Sequence, residues 1–169
     1  MAARTSLRDY QRELAARLKG AGSGRAATKL GLQAGAESWL VDLADAGEVI
    51  PVPPITPVPL TRPWFRGVAN IRGKLYSVVD FPAFLGGAAV ALGEQARLLL
   101  LSERYRMGGA LLVDRSLGLR NLEQLQPRET RAAPSPWVRA EYGDPQGVHW
   151  KELNVLELVR HPMFLAVGS

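Results

Sequence analysis

Residues 63–86 read Pro-Trp-Phe-Arg-Gly-Val-Ala-Asn-Ile-Arg-Gly-Lys-Leu-Tyr-Ser-Val-Val-Asp-Phe-Pro-Ala-Phe-Leu-Gly. Two apolar runs, Phe65 to Ile71 and Lys74 to Phe81, flank Arg72-Gly73, which predicts two strands joined by a tight turn. Gly67 and Gly73 permit positive φ or close backbone approach. Asn70 can hydrogen-bond its own backbone in the turn. Arg72, just before a glycine, projects from it as a rigid fork of donors. Asp80 can cap one helical turn over Pro82 to Leu85. The local reading is an arginine displayed between two strands.

Outward from this stretch the pattern stays that of short strands. Trp39, Val41 and Leu43 alternate with Leu40, Asp42 and Ala44; Asp45-Ala46-Gly47 turns, and Glu48 to Val52 returns, which reads as a hairpin. Residues 51–63 hold six of the twelve prolines, so no helix or central strand fits there. The spacing of Pro51, Pro54 and Pro57 also suits a polyproline ligand, but apolar strands on both sides favour a rigid loop. Arg97 to Ser102 and Met107 to Asp114 form another strand pair, and Ser116 to Leu122 can extend the sheet. Leu98 to Leu101 is too short for a helix and is boxed by turns. Val138 to Tyr142 and Gly147 to Lys151 make a late hairpin around Gly143-Asp144-Pro145. Asn154 with Glu157 starts a helix that His161-Pro162 should stop. About nine strands and a closing helix predict an all-β barrel or sandwich.

The charge divides the 169-residue chain differently. Of 21 basic and 16 acidic residues, seven and two lie in residues 1–36; the remaining 14 of each cancel, so the formal +5 belongs to the N-terminal arm. Leu7, Tyr10, Leu14 and Leu18 form one helical apolar stripe after Ser6, with Arg8, Arg12 and Lys19 off it. Such a helix can dock on its own domain, on a partner, or on a membrane surface. Residues 20–36, with five glycines and five alanines, read as a linker. The expected division is therefore 1–36, a basic helical extension plus linker, and 37–169, the domain. A basic protein invites a nucleic-acid reading. Here that reading can apply only to the arm.

Signs of catalysis are few. The chain has no cysteine, which excludes disulfides and thiolate chemistry. His149 and Glu152 fall on opposite faces of a strand, and His161 precedes a proline. Gly67 to Lys74 has one residue too many between its glycines for a phosphate loop, and Leu75 replaces the magnesium-binding hydroxyl. The start lacks a signal-peptide core, and the longest apolar stretch, Phe81 to Gly93, is too short to span a bilayer. The expectation is a soluble cytoplasmic protein.

Residues 63–86 closely resemble the CheW-like chemotaxis coupling family: a proline-bearing approach, Gly-Val-x-Asn, Arg-Gly, an apolar strand, then Asp and a short helix ending in Leu-Gly. Trp39 to Val52, Gly109 to Leu119 and Tyr142 to Leu158 resemble its opening, central and closing hairpins. Gly-Val-Ala-Asn-x-Arg-Gly, the preceding Trp64 and the basic extension look most like PilI-type members, which serve type IV pilus twitching motility. The resemblance implies two small five-stranded β-barrels packed around a shared core, with a C-terminal helix and no catalysis or cofactor. It implies a cytoplasmic adaptor at receptor arrays, bridging a chemoreceptor signalling tip to the regulatory domain of a CheA-type histidine kinase. Asn70, Arg72 and Gly73 match the motif, and Arg66, Val68 and Val78 join them as candidate partner-binding residues. Arg72 would act directly or by holding a loop. Tyr76-Ser77 departs from the family, which more often has apolar or proline residues there.

Overall fold

The computed structural model describes residues 27–130 and 135–169. Among them, eleven strands form two mixed sheets. The first sheet contains β1 (Thr28–Ala34), β2 (Glu37–Asp42), β8 (Arg115–Asn121), β9 (Gln126–Arg128), β10 (Val138–Gly143) and β11 (His149–Leu153), in the order β8-β1-β2-β11-β10-β9. The second contains β3 (Ala46–Pro51), β4 (Phe65–Ile71), β5 (Lys74–Asp80), β6 (Arg97–Leu101) and β7 (Gly109–Val113), in the order β3-β6-β7-β5-β4. Each sheet has one parallel pair, β11 with β2 and β5 with β7. No helix among the described residues is long and apolar enough to cross a membrane.

Three apolar clusters explain the strand sequences. The largest lies between the sheets: Leu32, Trp39 and Val41 from one meet Leu99, Leu111 and Val113 from the other, with Phe81 edge-on to Trp39 at 5.1 Å. A second fills the concave side of the five-stranded sheet with Ile71, Val78, Leu98, Leu100 and Leu112. A third, with Leu40, Tyr142 and Trp150, fills the other sheet. Strand β6 therefore buries both faces, Leu98 and Leu100 on one and Leu99 and Leu101 on the other, which is why the leucine run is unbroken.

The sheets curl but remain open, where two closed five-stranded barrels were expected. In the five-stranded sheet the edges β3 and β4 do not pair. The proline-rich chain after β3 cannot continue a ladder, because proline has no N–H to donate. One doubly bonded bridge spans this seam: Thr56 and Val68 exchange N–H···O bonds of 2.8 and 2.9 Å. In the other sheet β8 and β9 do not pair and are joined by the 3₁₀ turn Leu122–Gln124.

Two expected hairpins are instead crossovers. Strands β2 and β3 lie in different sheets, as do β7 and β8. The β2–β3 turn is anchored by Asp45, 2% exposed, whose Oδ1 accepts from the Arg104 guanidinium and the Tyr105 hydroxyl. The expected boundary at Glu37 also moves. Strand β1 lies within the segment read as linker, pairs on both edges with β2 and β8, and buries Leu30, Leu32 and Ala34. The helical reading of residues 6–19 lies outside the described residues.

Strand β1 also brings a charge inside. Lys29, fully buried, sits 3.2 Å from Asp42 and 3.3 Å from Glu152, itself fully buried. Arg139 lies 3.6 Å from Glu152, and the Tyr142 hydroxyl donates to it at 3.2 Å. Burial pushes the Asp42 carboxyl up, but the Ala44 N–H and the Lys29 ammonium outweigh it and hold the group below its ordinary value.

Short helices appear where their caps are. Asp80 accepts from the Ala83 N–H at 3.1 Å and starts α1 (Phe81–Phe84). Asn154 accepts from the Glu157 N–H at 3.2 Å and starts α2 (Val155–Arg160). His161-Pro162 breaks that helix as expected, and one further turn, α3 (Pro162–Leu165), follows.

Candidate functional site

The tip of the β4–β5 hairpin is a two-residue turn. Ile71 faces Lys74, and Arg72 and Gly73 between them have φ of +53° and +84°. Positive φ at both central positions is the type I′ pattern, whose twist matches that of the strands. The Gly73 N–H donates to Asn70 Oδ1 at 2.9 Å, so Asn70 stabilises the turn. Gly73 has open space where a Cβ would stand, so its need for glycine is conformational.

Arg72 is displayed, as its place in the sequence implied, with 69% of its side chain exposed. Its guanidinium pairs with Glu48 on β3, the opposite edge of the open sheet. The pair spans the seam above a cleft of about 370 Å³ that Ile71, Tyr76 and Leu100 help to line. On the far side of the hairpin, Asn70 and Leu75 are cross-strand neighbours, as are Val68 and Ser77. Leu75 is 63% exposed, so this outward face carries an apolar side chain beside Asn70.

The remaining candidates divide. Arg66 is three-quarters buried and lies 3.3 Å from the fully buried Asp80, which also accepts from the Val90 N–H at 2.9 Å. Arg66 thus secures the base of the hairpin. Val68 is half-buried, and its backbone makes the bridge to Thr56. Gly67 makes that bridge possible: φ is +128°, and a Cβ there would stand 2.0 Å from the Thr56 carbonyl oxygen. Val78 is fully buried in the inner cluster. It is a packing residue and leaves the candidate surface, because the strand turns it to the concave face. The surface that remains is Asn70, Arg72 and Gly73, with Glu48 and Leu75 added.

Sequence reasoning missed Glu48 and Leu75. Leu75 carried a signal, an apolar residue out of phase with Tyr76 and Val78. Glu48 carried none, since only the curl of the sheet brings it to Arg72. The two histidines lie apart: His149 is 3.6 Å from Glu141, and His161 Nδ1 accepts from the Met163 N–H at 3.2 Å.

The chain matches the family model of the CheW-like domain over residues 29–162. It belongs to the CheW-like domain family. The match begins at Lys29, inside β1, in agreement with that strand's place in the sheet. The chain is similar to protein PilI of Pseudomonas aeruginosa strain PAO1, at 30% identity over 145 residues that cover 82% of this chain and 79% of that one. Its fold is similar to that of the scaffolding protein TtCheW from Thermoanaerobacter tengcongensis, with a TM-score of 0.63 over 75% of this chain and 87% of that one. At 18% identity this second likeness concerns the fold alone.

Proposed function

We propose that this CheW-like protein is a non-catalytic cytoplasmic adaptor at receptor arrays. It couples a chemoreceptor signalling tip to the regulatory domain of a CheA-type histidine kinase, in chemotaxis or type IV pilus twitching motility. The observation that carries the reading is Arg72: a largely exposed guanidinium on a left-handed backbone, paired among the described residues with an exposed glutamate. An ion pair this exposed adds about 0–1 kcal/mol to stability. Stability alone gives little reason to hold an arginine in that conformation, whereas a binding surface does. A sheet buried on both faces supplies a rigid base, and holding two proteins at once raises their effective concentration. Similarity to PilI favours the pilus pathway. Contacts of this kind are typically micromolar, on the order of −8 kcal/mol.

Calorimetric titration with the cognate kinase regulatory domain tests the reading. Micromolar binding is expected, and its absence sinks the proposal. Normal binding by a folded Arg72→Ala variant would remove Arg72 from the surface and leave the adaptor role standing.

A further inference from the structure

The cleft beneath Arg72 has two walls of opposite charge. Arg72 and Lys74, on the β4–β5 side, form the cationic wall; Glu48 on β3 and Glu103 in the 3₁₀ turn Glu103–Tyr105 form the anionic one. Two ion pairs cross between them: Arg72 with Glu48, and Lys74 with Glu103 at 3.3 Å. All four residues border one cleft of about 370 Å³, floored by Ile71, Tyr76 and Leu100. Lys74 and Tyr76 are two residues apart on β5 and so share the face that the cleft occupies. The Lys74 ammonium lies 5.2 Å from the centre of the Tyr76 ring, a second contact that holds it at the rim.

These ion pairs do little for the fold. Side-chain exposure is 69% and 47% for Arg72 and Glu48, and 47% and 84% for Lys74 and Glu103. Pairs so open to water are screened and add little stability. The floor between them is already closed, with Ile71 and Tyr76 each 8% exposed and Leu100 4%. An apolar side chain entering from outside would bury little further area there. What the cleft offers a partner is charge in a fixed order, cationic on one wall and anionic on the other.

We infer that the cleft is a self-association surface whose occupant is a second copy of this chain. When two mouths face each other across a two-fold axis running along the seam, each wall meets its opposite. Arg72 then stands over the second copy's Glu48, and Lys74 over its Glu103, with the reciprocal contacts following by symmetry. Each charge gains a second opposite neighbour, so neither intramolecular pair has to break. Water excluded from between the mouths strengthens all of these contacts. The charges of residues 37–169 cancel, so the two bodies do not repel one another. An unrelated partner would have to match this order of charges, whereas the chain matches itself. The contact is electrostatic with a small apolar share, which makes the pairing weak and salt-sensitive. Arg72 lies inside it, so pairing covers the arginine assigned above to array partners; that consequence rests on the adaptor reading, and the pairing itself does not.

Sedimentation velocity of the full-length chain is the test. Wild type should form a dimer as its concentration rises, and should dissociate when salt goes from about 50 mM to about 500 mM, which shortens the Debye length roughly threefold. Arg72→Glu with Lys74→Glu makes both walls acidic, and Glu48→Lys with Glu103→Lys makes both basic. Each of these variants alone should self-associate about tenfold more weakly or worse, because like walls meet. An equimolar mixture of the two should pair again, since acidic walls then face basic ones. A variant with all four substitutions inverts both walls and keeps both ion pairs; it should pair with itself and not with wild type. That variant decides the outcome should a two-substitution variant fail to fold. Wild type that stays monomeric at about 1 mM, the weak limit of specific association, overturns the inference. So does a mixture that pairs no better than its components, or a four-substitution variant that pairs with wild type. Pairing left unchanged in both two-substitution variants overturns it as well, because the contact then lies on another surface.

Discussion

Replacing Lys29 with methionine tests how the fold is locked. The ammonium is fully buried, 3.2 Å from Asp42 and 3.3 Å from Glu152. Methionine preserves the side chain's approximate volume but takes the Lys29 ammonium away from the buried Glu152 carboxylate. Breaking a buried pair by removing one partner typically costs about 3–5 kcal/mol, because the remaining charge stays desolvated. Two features place this case at the lower end. Arg139 remains 3.6 Å from Glu152, and Asp42, 23% exposed, can be solvated. The expected loss for Lys29→Met is therefore about 3 kcal/mol, or roughly 6–12 °C in Tm at about 2–4 °C per kcal/mol for a chain of this size.

The double variant Lys29→Met with Glu152→Gln removes the buried carboxylate charge and keeps an oxygen for the Tyr142 hydroxyl. It should recover about 1–2 kcal/mol relative to Lys29→Met, a coupling that a double-mutant cycle isolates. Urea unfolding of the four proteins at pH 7 is the assay. A loss below about 1 kcal/mol for Lys29→Met, or a double variant less stable than it, would refute the account. Acid adds a second check. The Asp42 carboxyl is held below its ordinary 3.8 in the folded state, so it contributes stability above that pH and loses it as pH falls through the folded value. Removing Lys29 takes away part of the depression, so the stability lost below about pH 4 should shrink in Lys29→Met.

Three further outcomes follow from the geometry. Gly67→Ala must break the Thr56–Val68 bridge, since its Cβ would stand 2.0 Å from a backbone oxygen; a loss above about 3 kcal/mol in denaturant unfolding is expected, whereas Gly73→Ala meets open space and should cost about 1 kcal/mol. Deleting residues 1–36 removes β1 and should abolish cooperative unfolding, while deleting residues 1–26 spares it and should leave a folded domain by circular dichroism. Arg72→Ala should change stability by less than about 1 kcal/mol, read by the same unfolding assay, because its partner Glu48 is itself 47% exposed.

How far the sequence revealed this protein depends on what each signal encodes. The β4–β5 hairpin was legible because everything that makes it is local: Asn70 bonds Gly73 three residues away, and Asp80 caps the turn that follows it. The crossovers at Asp45 and Asp114 were not. A turn signal marks where a strand ends, but sheet membership is set by distant partners, here Arg104 for Asp45 and the Gly35 N–H for Asp114. Strand β1 was hidden for a different reason. Its glycine and lysine are poor strand formers, yet each has a place there: a Cβ on Gly31 would stand 3.2 Å from β8 and Trp150, a tight contact, and Lys29 serves a buried carboxylate two strands away. The alternation of Leu30, Leu32 and Ala34 was present in the sequence, and composition obscured it.

The same distinction orders the candidate site. Residues that hold the hairpin to the body, Gly67, Asp80 and Arg66, are buried or in tight contact, and changing them should cost stability first. Arg72, at its tip, has the left-handed backbone that the turn requires, but its exposed side chain adds little to the fold. Unfolding and binding measurements on the same variants should therefore separate the two groups. A fold-holding residue moves both readouts together, because lost structure is lost surface. Arg72 should move binding alone, and it is this split that distinguishes a docking side chain from one that only shapes a turn.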